Sequence, residues 1–65
     1  MQYRIRISDD SRTVSIFTDD RTVPNIAKEE LAEKHGINMD NYRLSVGPRE
    51  SGDKVLKWVT VFIKK

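Results

Sequence analysis

The stretch "EKHGINMDNYRLSVG", residues 33–47, marks the point at which a helix gives way to a strand. Gly36 is expected to adopt the left-handed conformation that ends many helices, and Ile37 can then fold back on the last helical turn. After a short polar loop, residues 42–46 alternate apolar and polar side chains, which predicts a half-buried strand. The chain is therefore expected to combine a helix with a sheet.

Two further strands are predicted before the helix. Residues 2–8, "QYRIRIS", alternate strictly, with Arg4 and Arg6 on the polar face. Residues 13–18, "TVSIFT", also alternate, and Phe17 falls on their outer face. Because the connection is short, we expect the two strands to form an antiparallel hairpin.

The helix itself is predicted between this hairpin and the glycine that ends it. Thr22 is expected to cap the helix, and Pro24 suits its first turn because proline has no N–H to leave unpaired there. Ile26, Ala27 and Leu31 form a narrow apolar stripe at helical spacing.

Residues 54–64, "KVLKWVTVFIK", form the most apolar predicted strand. One of its faces carries valine and isoleucine side chains, and the other carries Leu56, Trp58 and Phe62. A strand that is apolar on both faces is typical of a central position in a sheet, and its outer face is often a contact surface.

The predicted order is β-β-α-β-β within a single domain of residues 1–65. One helix can cover only one face of a sheet, so the expected fold class is α+β, a two-layer ββαββ domain with a mixed sheet and one helix packed on one face. In such a domain the first and last strands are expected side by side at the centre. The other face of the sheet has no second helix to cover it.

In this order the chain resembles the ubiquitin-like β-grasp superfamily over about residues 1–47. The resemblance includes Met1 and Gln2 before the hairpin, the Thr-led helix "TVPNIAKEELAEKHGI", and the strand "DNYRLSVG". It implies a scaffold that binds other macromolecules through its sheet face or an edge strand. The chain ends "VFIKK" where ubiquitin-type modifiers end in two glycines, so conjugation and sulfur-carrier activity are not expected. Ser45 stands in the place of the exposed isoleucine by which ubiquitin meets many partners.

The residues give no indication of catalysis, and we expect neither a metal nor a cofactor. The chain has no cysteine, which excludes disulfides and thiolate sites. His35 is the one histidine, and its position in the last helical turn is explained by the helix dipole. The loop "GPRESGD", residues 47–53, lacks the spacing of a phosphate-binding loop. The protein is therefore predicted not to be an enzyme.

The candidate binding surface is the open sheet face. Two orientations of residues 54–64 are compatible with the sequence: Trp58 and Phe62 belong either to the core or to the open face. In the second case they join other large or basic side chains there, in the combination found at protein-interface hot spots. The predicted binding residues are Arg4, Arg6, Phe17, Arg43, Trp58 and Phe62.

The second predicted strand is expected to lie at a sheet edge. Edge strands can recruit a partner strand through backbone hydrogen bonds. Arg12 and Arg21 flank this strand and could steer an acidic partner to it. The alternative is a plain, protected edge without a binding function.

The expected function is therefore non-covalent binding of another protein, as an adaptor, an inhibitor or an assembly subunit. The size and style of the chain also suit a viral or phage protein that acts on a host protein. The alternatives are a nucleic-acid-binding domain, which the mild net charge of +2 disfavours, and homodimerisation through the same face. Neither a signal peptide nor a membrane span is predicted, so a cytoplasmic location is expected and no membrane partner.

Overall fold

The secondary-structure order expected from the sequence is present in a computed structural model, which describes residues 2–65. The elements are β1 (Tyr3–Ile7), β2 (Thr13–Thr18), α1 (Asn25–His35), β3 (Tyr42–Glu50) and β4 (Trp58–Lys64), with a 3-10 turn at Met39–Asn41 before β3. Met1, which contributes to the resemblance described above, lies outside the described residues. The α+β class is confirmed. Among residues 2–65, no helix has the length and apolar character needed to cross a membrane.

The sheet is antiparallel throughout, in the order β1-β2-β4-β3. The expected mixed sheet is therefore wrong, as is the expectation that the first and last strands lie side by side. The strand predicted at the edge, β2, is instead central, and β1 and β3 are the edge strands. Burial explains this order, because Val14 and Ile16 of β2 are 0% exposed and need a neighbouring strand on each side to exclude water.

The core lies between α1 and one face of the sheet. Ala27 and Leu31 of the helix pack with Val14 and Ile16 of β2, and all four side chains are fully buried. Half-buried side chains of β1 and β4 surround this cluster, which also includes Ile37. The apolar stripe predicted from helical spacing is thus the face of α1 that meets the sheet, except that Ile26 stays exposed.

The two ends of α1 differ in how well the sequence predicted them. The helix is preceded by Pro24 in an extended conformation with no side-chain cap, so the expected capping role of Thr22 is wrong. Gly36 ends the helix with φ 65°, as predicted. The N–H groups of Gly36 and Ile37 both donate to the carbonyl of Leu31, and Ile37 is buried on the last turn. This is the hydrogen-bond pattern of a left-handed helix terminus.

β3 is longer than expected and β4 is shorter. β3 continues through Gly47 and Pro48 to Glu50, with register shifts against β4 between Leu44 and Val46 and between Val46 and Arg49. Residues 51–57 then form a loop before β4 begins. Gly47-Pro48 therefore does not end the strand, as the sequence suggested, but lies within β3 at a shift in its register with β4.

Gly47 of β3 lies directly against the backbone of β4. Its φ is 118°, and a Cβ atom at this position would stand 2.6 Å from the carbonyl oxygen of Val59 and 2.8 Å from the Cα of Thr60. Both contacts are with backbone atoms, so a side chain could fit only if the two strands moved apart.

We predict that Gly47→Ala destabilises the fold more than Gly52→Ala does. Gly52 also has a positive φ, 87°, but nothing lies within 4 Å of the position of its Cβ. Each substitution incurs backbone strain, and Gly47→Ala adds overpacking of about 1–3 kcal/mol. Urea unfolding of both variants measures the difference. Equal free energies of unfolding would show that β3 and β4 are not in close contact at Gly47.

Candidate functional site

The register between β2 and β4 determines which side of β4 is open. Thr18 pairs with Trp58, Ile16 with Thr60, and Val14 with Phe62. Directly opposed residues in an antiparallel pair point to the same side of the sheet. Since the side chains of β2 in these pairs face α1, the side chains of Trp58, Thr60 and Phe62 do so as well.

Trp58 and Phe62 therefore lie on the helix side of the sheet, not on the open face with Phe17. Phe62 is partly buried and packs against the core cluster. Trp58 is half-buried at the end of β4, and the guanidinium carbon of Arg21 lies 4.5 Å from the centroid of its ring. Of the two orientations left open by the sequence, the structure has the one in which the valines of β4 face outward.

The side of the sheet away from α1 is here called the open face. Within residues 2–65, neither the helix nor a second sheet layer covers it. By strand register it consists of Arg4, Arg6, Thr13, Ser15, Phe17, Arg43, Val46, Arg49, Val59, Val61 and Ile63. Four of the six predicted binding residues, namely Arg4, Arg6, Phe17 and Arg43, are thus brought together on one surface.

The open face has an apolar middle and basic margins. One row of opposed residues runs Arg4, Phe17, Val59, Arg49 across the four strands. The two apolar members are half-buried on the central strands, and the two arginines are exposed on the edge strands. At an inter-strand spacing of about 4.8 Å, the Cα atoms of Arg4 and Arg49 lie about 14 Å apart.

The other two rows continue the pattern. Val61 of β4 lies between Ser15 and Val46, with Arg6 beyond Ser15 on β1. In the last row Ile63 lies beside Arg43 on β3. The apolar strip therefore runs along β4 for its full length, and an arginine stands on at least one margin of every row.

Carboxylates are distributed unevenly between the two sides of the domain. Among residues 2–65, no carboxylate occupies a register position on the open face, whereas α1 carries Glu29, Glu30 and Glu33 together with Lys28 and Lys34. Glu50 belongs to the helix side as well, since it pairs with Trp58. The formal net charge of +2 conceals this distribution, because the basic and acidic groups nearly cancel in the sum.

An ordered loop of residues 51–57 bounds the open face near Arg4. The carboxylate of Asp53 accepts hydrogen bonds from the N–H of Leu56 at 2.9 Å and of Val55 at 2.7 Å. These two bonds, with a smaller contribution from the charge of Arg4, hold the pKa of Asp53 below its usual value. The Ser51 hydroxyl donates to the Leu56 carbonyl and closes the loop.

Arg12 and Arg21, predicted to flank an edge strand, flank a central one. Arg12 lies beside the end of β4, where its carbonyl accepts from the N–H of Lys64, and its side chain lines a cleft with Lys64 and Lys65. Arg21 lies against Trp58 at the opposite end of the sheet. The two arginines are therefore at different ends of the domain and do not form one steering surface.

Sequence reasoning did not include Val46, Arg49, Val59, Val61 and Ile63 among the binding residues. The alternation of residues 59–63 was visible, but both of its faces are apolar and no local signal chose between them. The polar residue Thr60 shares a side with Trp58 and Phe62 and would favour the opposite orientation, because it is buried opposite Ile16 of β2 despite its hydroxyl. Arg49 was not assigned to the sheet because Gly47-Pro48 was expected to end the strand before it.

Comparison with protein-family models, with curated proteins and with solved structures gives no match. Within the described part of the chain, no group of three or more metal-ligating side chains is close enough to hold a metal ion. The candidate site is thus defined by its own geometry, as an arginine-lined apolar surface.

We predict that Asp53 makes the stability of the protein depend on pH in the acid range. A carboxyl group whose pKa is lowered by folding stabilises the folded state at pH values above its ordinary pKa of 3.8. This stabilisation is lost as the pH falls through the lower pKa that the group has in the folded state. Asp53→Asn should be less stable than wild type at about pH 7, and the gap should narrow at about pH 3. Urea unfolding, monitored by the fluorescence of Trp58, measures the free energy of unfolding of both proteins at each pH. A gap that stays constant with pH would contradict the assigned hydrogen bonds.

Proposed function

We propose that the protein is a small protein-binding module that docks through its open face. The observation that carries this proposal is the row Arg4, Phe17, Val59, Arg49, with apolar side chains between arginines. Protein interfaces have this anatomy, because an apolar centre excludes water and a polar rim remains solvated. Arginine is also the charged residue most enriched at interface hot spots.

The expected partner surface is acidic around an apolar centre. The open face carries arginines at its margins and no register position with a carboxylate, so an acidic rim on the partner would give complementary charges. Such charges raise the rate of encounter and fix the orientation of docking, while the apolar strip of Val59, Val61 and Ile63 supplies the buried area. The module would act as an adaptor, an inhibitor or an assembly subunit, and inhibition of a host protein by a viral or phage chain is one such role.

The ubiquitin-like β-grasp kinship also remains a proposal. The element order ββαββ and the single helix on one sheet face support it. The strand order does not support it, because β1 lies at an edge and β2 separates it from β4, whereas the first and last strands were expected to be neighbours. The proposed docking role does not depend on this kinship, since it rests on the residues of the open face.

Nucleic-acid binding is the second candidate, and the clustering of basic side chains favours it. Four arginines share the open face, and Arg12, Lys64 and Lys65 gather at one end of the sheet. Single-stranded nucleic acid binds to such surfaces when successive bases stack on aromatic rings. The open face offers one ring, that of Phe17, and its other apolar groups are branched aliphatic side chains. Protein binding is therefore the better supported function.

The test compares two apolar-to-aspartate variants on opposite sides of the sheet. Val61 lies at the centre of the open face, whereas Leu44 is 59% exposed and lies on the helix side opposite Phe62. A partner captured on the immobilised wild-type protein is purified and identified, and its affinity for each variant is measured by calorimetry. Val61→Asp should weaken binding about tenfold or more, and Leu44→Asp should leave it unchanged.

Two results would contradict the proposal. Loss of binding in Leu44→Asp but not in Val61→Asp would place the interface on the helix side. A captured nucleic acid whose affinity falls steeply between about 50 and 200 mM salt would favour the second candidate. Circular dichroism and urea unfolding of both variants ensure that a loss of binding is not a loss of folding.

A further inference from the structure

The two edge strands of the sheet differ in how open they are to pairing. β3 contains two register irregularities and Pro48, which lacks an N–H, and such features protect an edge from further pairing. β1 is regular, with five consecutive residues in continuous register against β2. β1 is thus the edge that can accept another strand.

The backbone groups directed outward along this edge can be assigned. At the two ends of the hairpin, the N–H of Asp19 donates to the carbonyl of Gln2, and the N–H of Ser8 donates to the carbonyl of Thr13. Hydrogen-bonded and non-hydrogen-bonded pairs alternate in an antiparallel ladder, so the even-numbered residues of β1 face β2. The N–H and C=O groups of Tyr3, Ile5 and Ile7 therefore point away from the sheet.

The side chains along this edge present opposite chemistry on its two sides. Arg4 and Arg6 are exposed on the open face. Tyr3, Ile5 and Ile7 are half-buried on the helix side and pack against the core cluster. A strand added here would continue both surfaces, with one row of its side chains beside the arginines and the other beside the apolar row.

On the helix side, an incoming side chain would meet carboxylates. The hydroxyl of Tyr3 donates to Glu30 at 2.7 Å, and this side of the edge adjoins a shallow cleft in which three carboxylates outnumber one cation. The cleft is lined by Tyr3, Ile26, Glu29, Glu30, Glu33 and Lys34. Ile26 is 58% exposed in that cleft. Acidic side chains are therefore disfavoured on this side of the incoming strand, and apolar ones are favoured.

A second copy of the chain is a poor occupant of the edge. Antiparallel pairing of β1 with itself that keeps the apolar sides together and overlaps by three or more residues always places at least one arginine opposite an arginine, and at full overlap Arg4 lies opposite Arg6. Like charges directly opposed on a sheet destabilise the pairing. The arginines of β1 thus disfavour pairing with a second copy of β1 and favour pairing with a strand that carries acidic side chains.

Resting on the proposed protein-binding function, we infer that the β1 edge accepts an extended strand of a partner protein in which acidic and apolar residues alternate. The acidic residues would lie on the open-face side, next to Arg4 and Arg6, and the apolar residues on the helix side, next to Ile5. The acidic residues opposite the arginines would occupy non-hydrogen-bonded pairs, in which opposed side chains are closest. The backbone of the apolar residues would bond to Tyr3, Ile5 and Ile7.

The experiment uses the full 15N- and methyl-labelled protein and a short synthetic peptide of alternating glutamate and valine. At about 1 mM peptide, the amide exchange of Ile5 and Ile7 should slow, and their resonances should shift. The same peptide with its valines N-methylated should not produce these effects, because the methyl groups block the backbone bonds. The peptide with lysine in place of glutamate should bind about tenfold or more weakly, and the double variant Arg4→Glu/Arg6→Glu should reverse this preference.

Two outcomes would overturn the inference. Shifts confined to the methyl groups of Val59, Val61 and Ile63, with no slowing of the β1 amides, would place the peptide across the open face and leave the proposed function standing. An absence of any effect at several millimolar peptide would refute the edge site. The proposed function would then be judged separately, by the Val61→Asp and Leu44→Asp comparison.

Discussion

The antiparallel pairing of β2 with β4 is the constraint on which the rest of the structure depends. Ile16 of β2 is fully buried under α1, and its pairing with Thr60 fixes the side to which every residue of β4 points. A shift of one residue would turn Trp58 and Phe62 outward and the valines inward, since side chains alternate along a strand. The register therefore determines both the core and the composition of the open face.

Local patterns in the sequence were sufficient for the elements and insufficient for their arrangement. The left-handed helix end at Gly36 and the limits of β2 depend on a few adjacent residues, and both were predicted. Strand order depends on contacts between distant segments, and the edge position given to β2 was wrong. For residues 59–63 the alternation was clear, but its orientation could not be known because both faces are apolar.

The uneven distribution of carboxylates explains why a chain with a small net charge can have a basic surface on one side of its sheet. The helix carries three glutamates beside two lysines, and four arginines of the edge strands lie on the side of the sheet that the helix leaves uncovered. A surface of this kind can attract an acidic partner and also bury apolar area against it. In this account, β4 provides the apolar centre of the surface, β3 gives it one basic margin, and β1 gives it the other margin together with an unprotected backbone edge.

Nuclear Overhauser effects between Hα protons test the central pairing most directly. Strong Hα–Hα contacts are predicted between Ser15 and Val61 and between Phe17 and Val59, because these are non-hydrogen-bonded pairs of the β2–β4 ladder, whose Cα atoms approach to about 4.5 Å. Contacts from the backbone of β4 to Ile5 of β1 instead would place the first and last strands side by side. That result would contradict the strand order, the orientation of β4 and the open face derived from them.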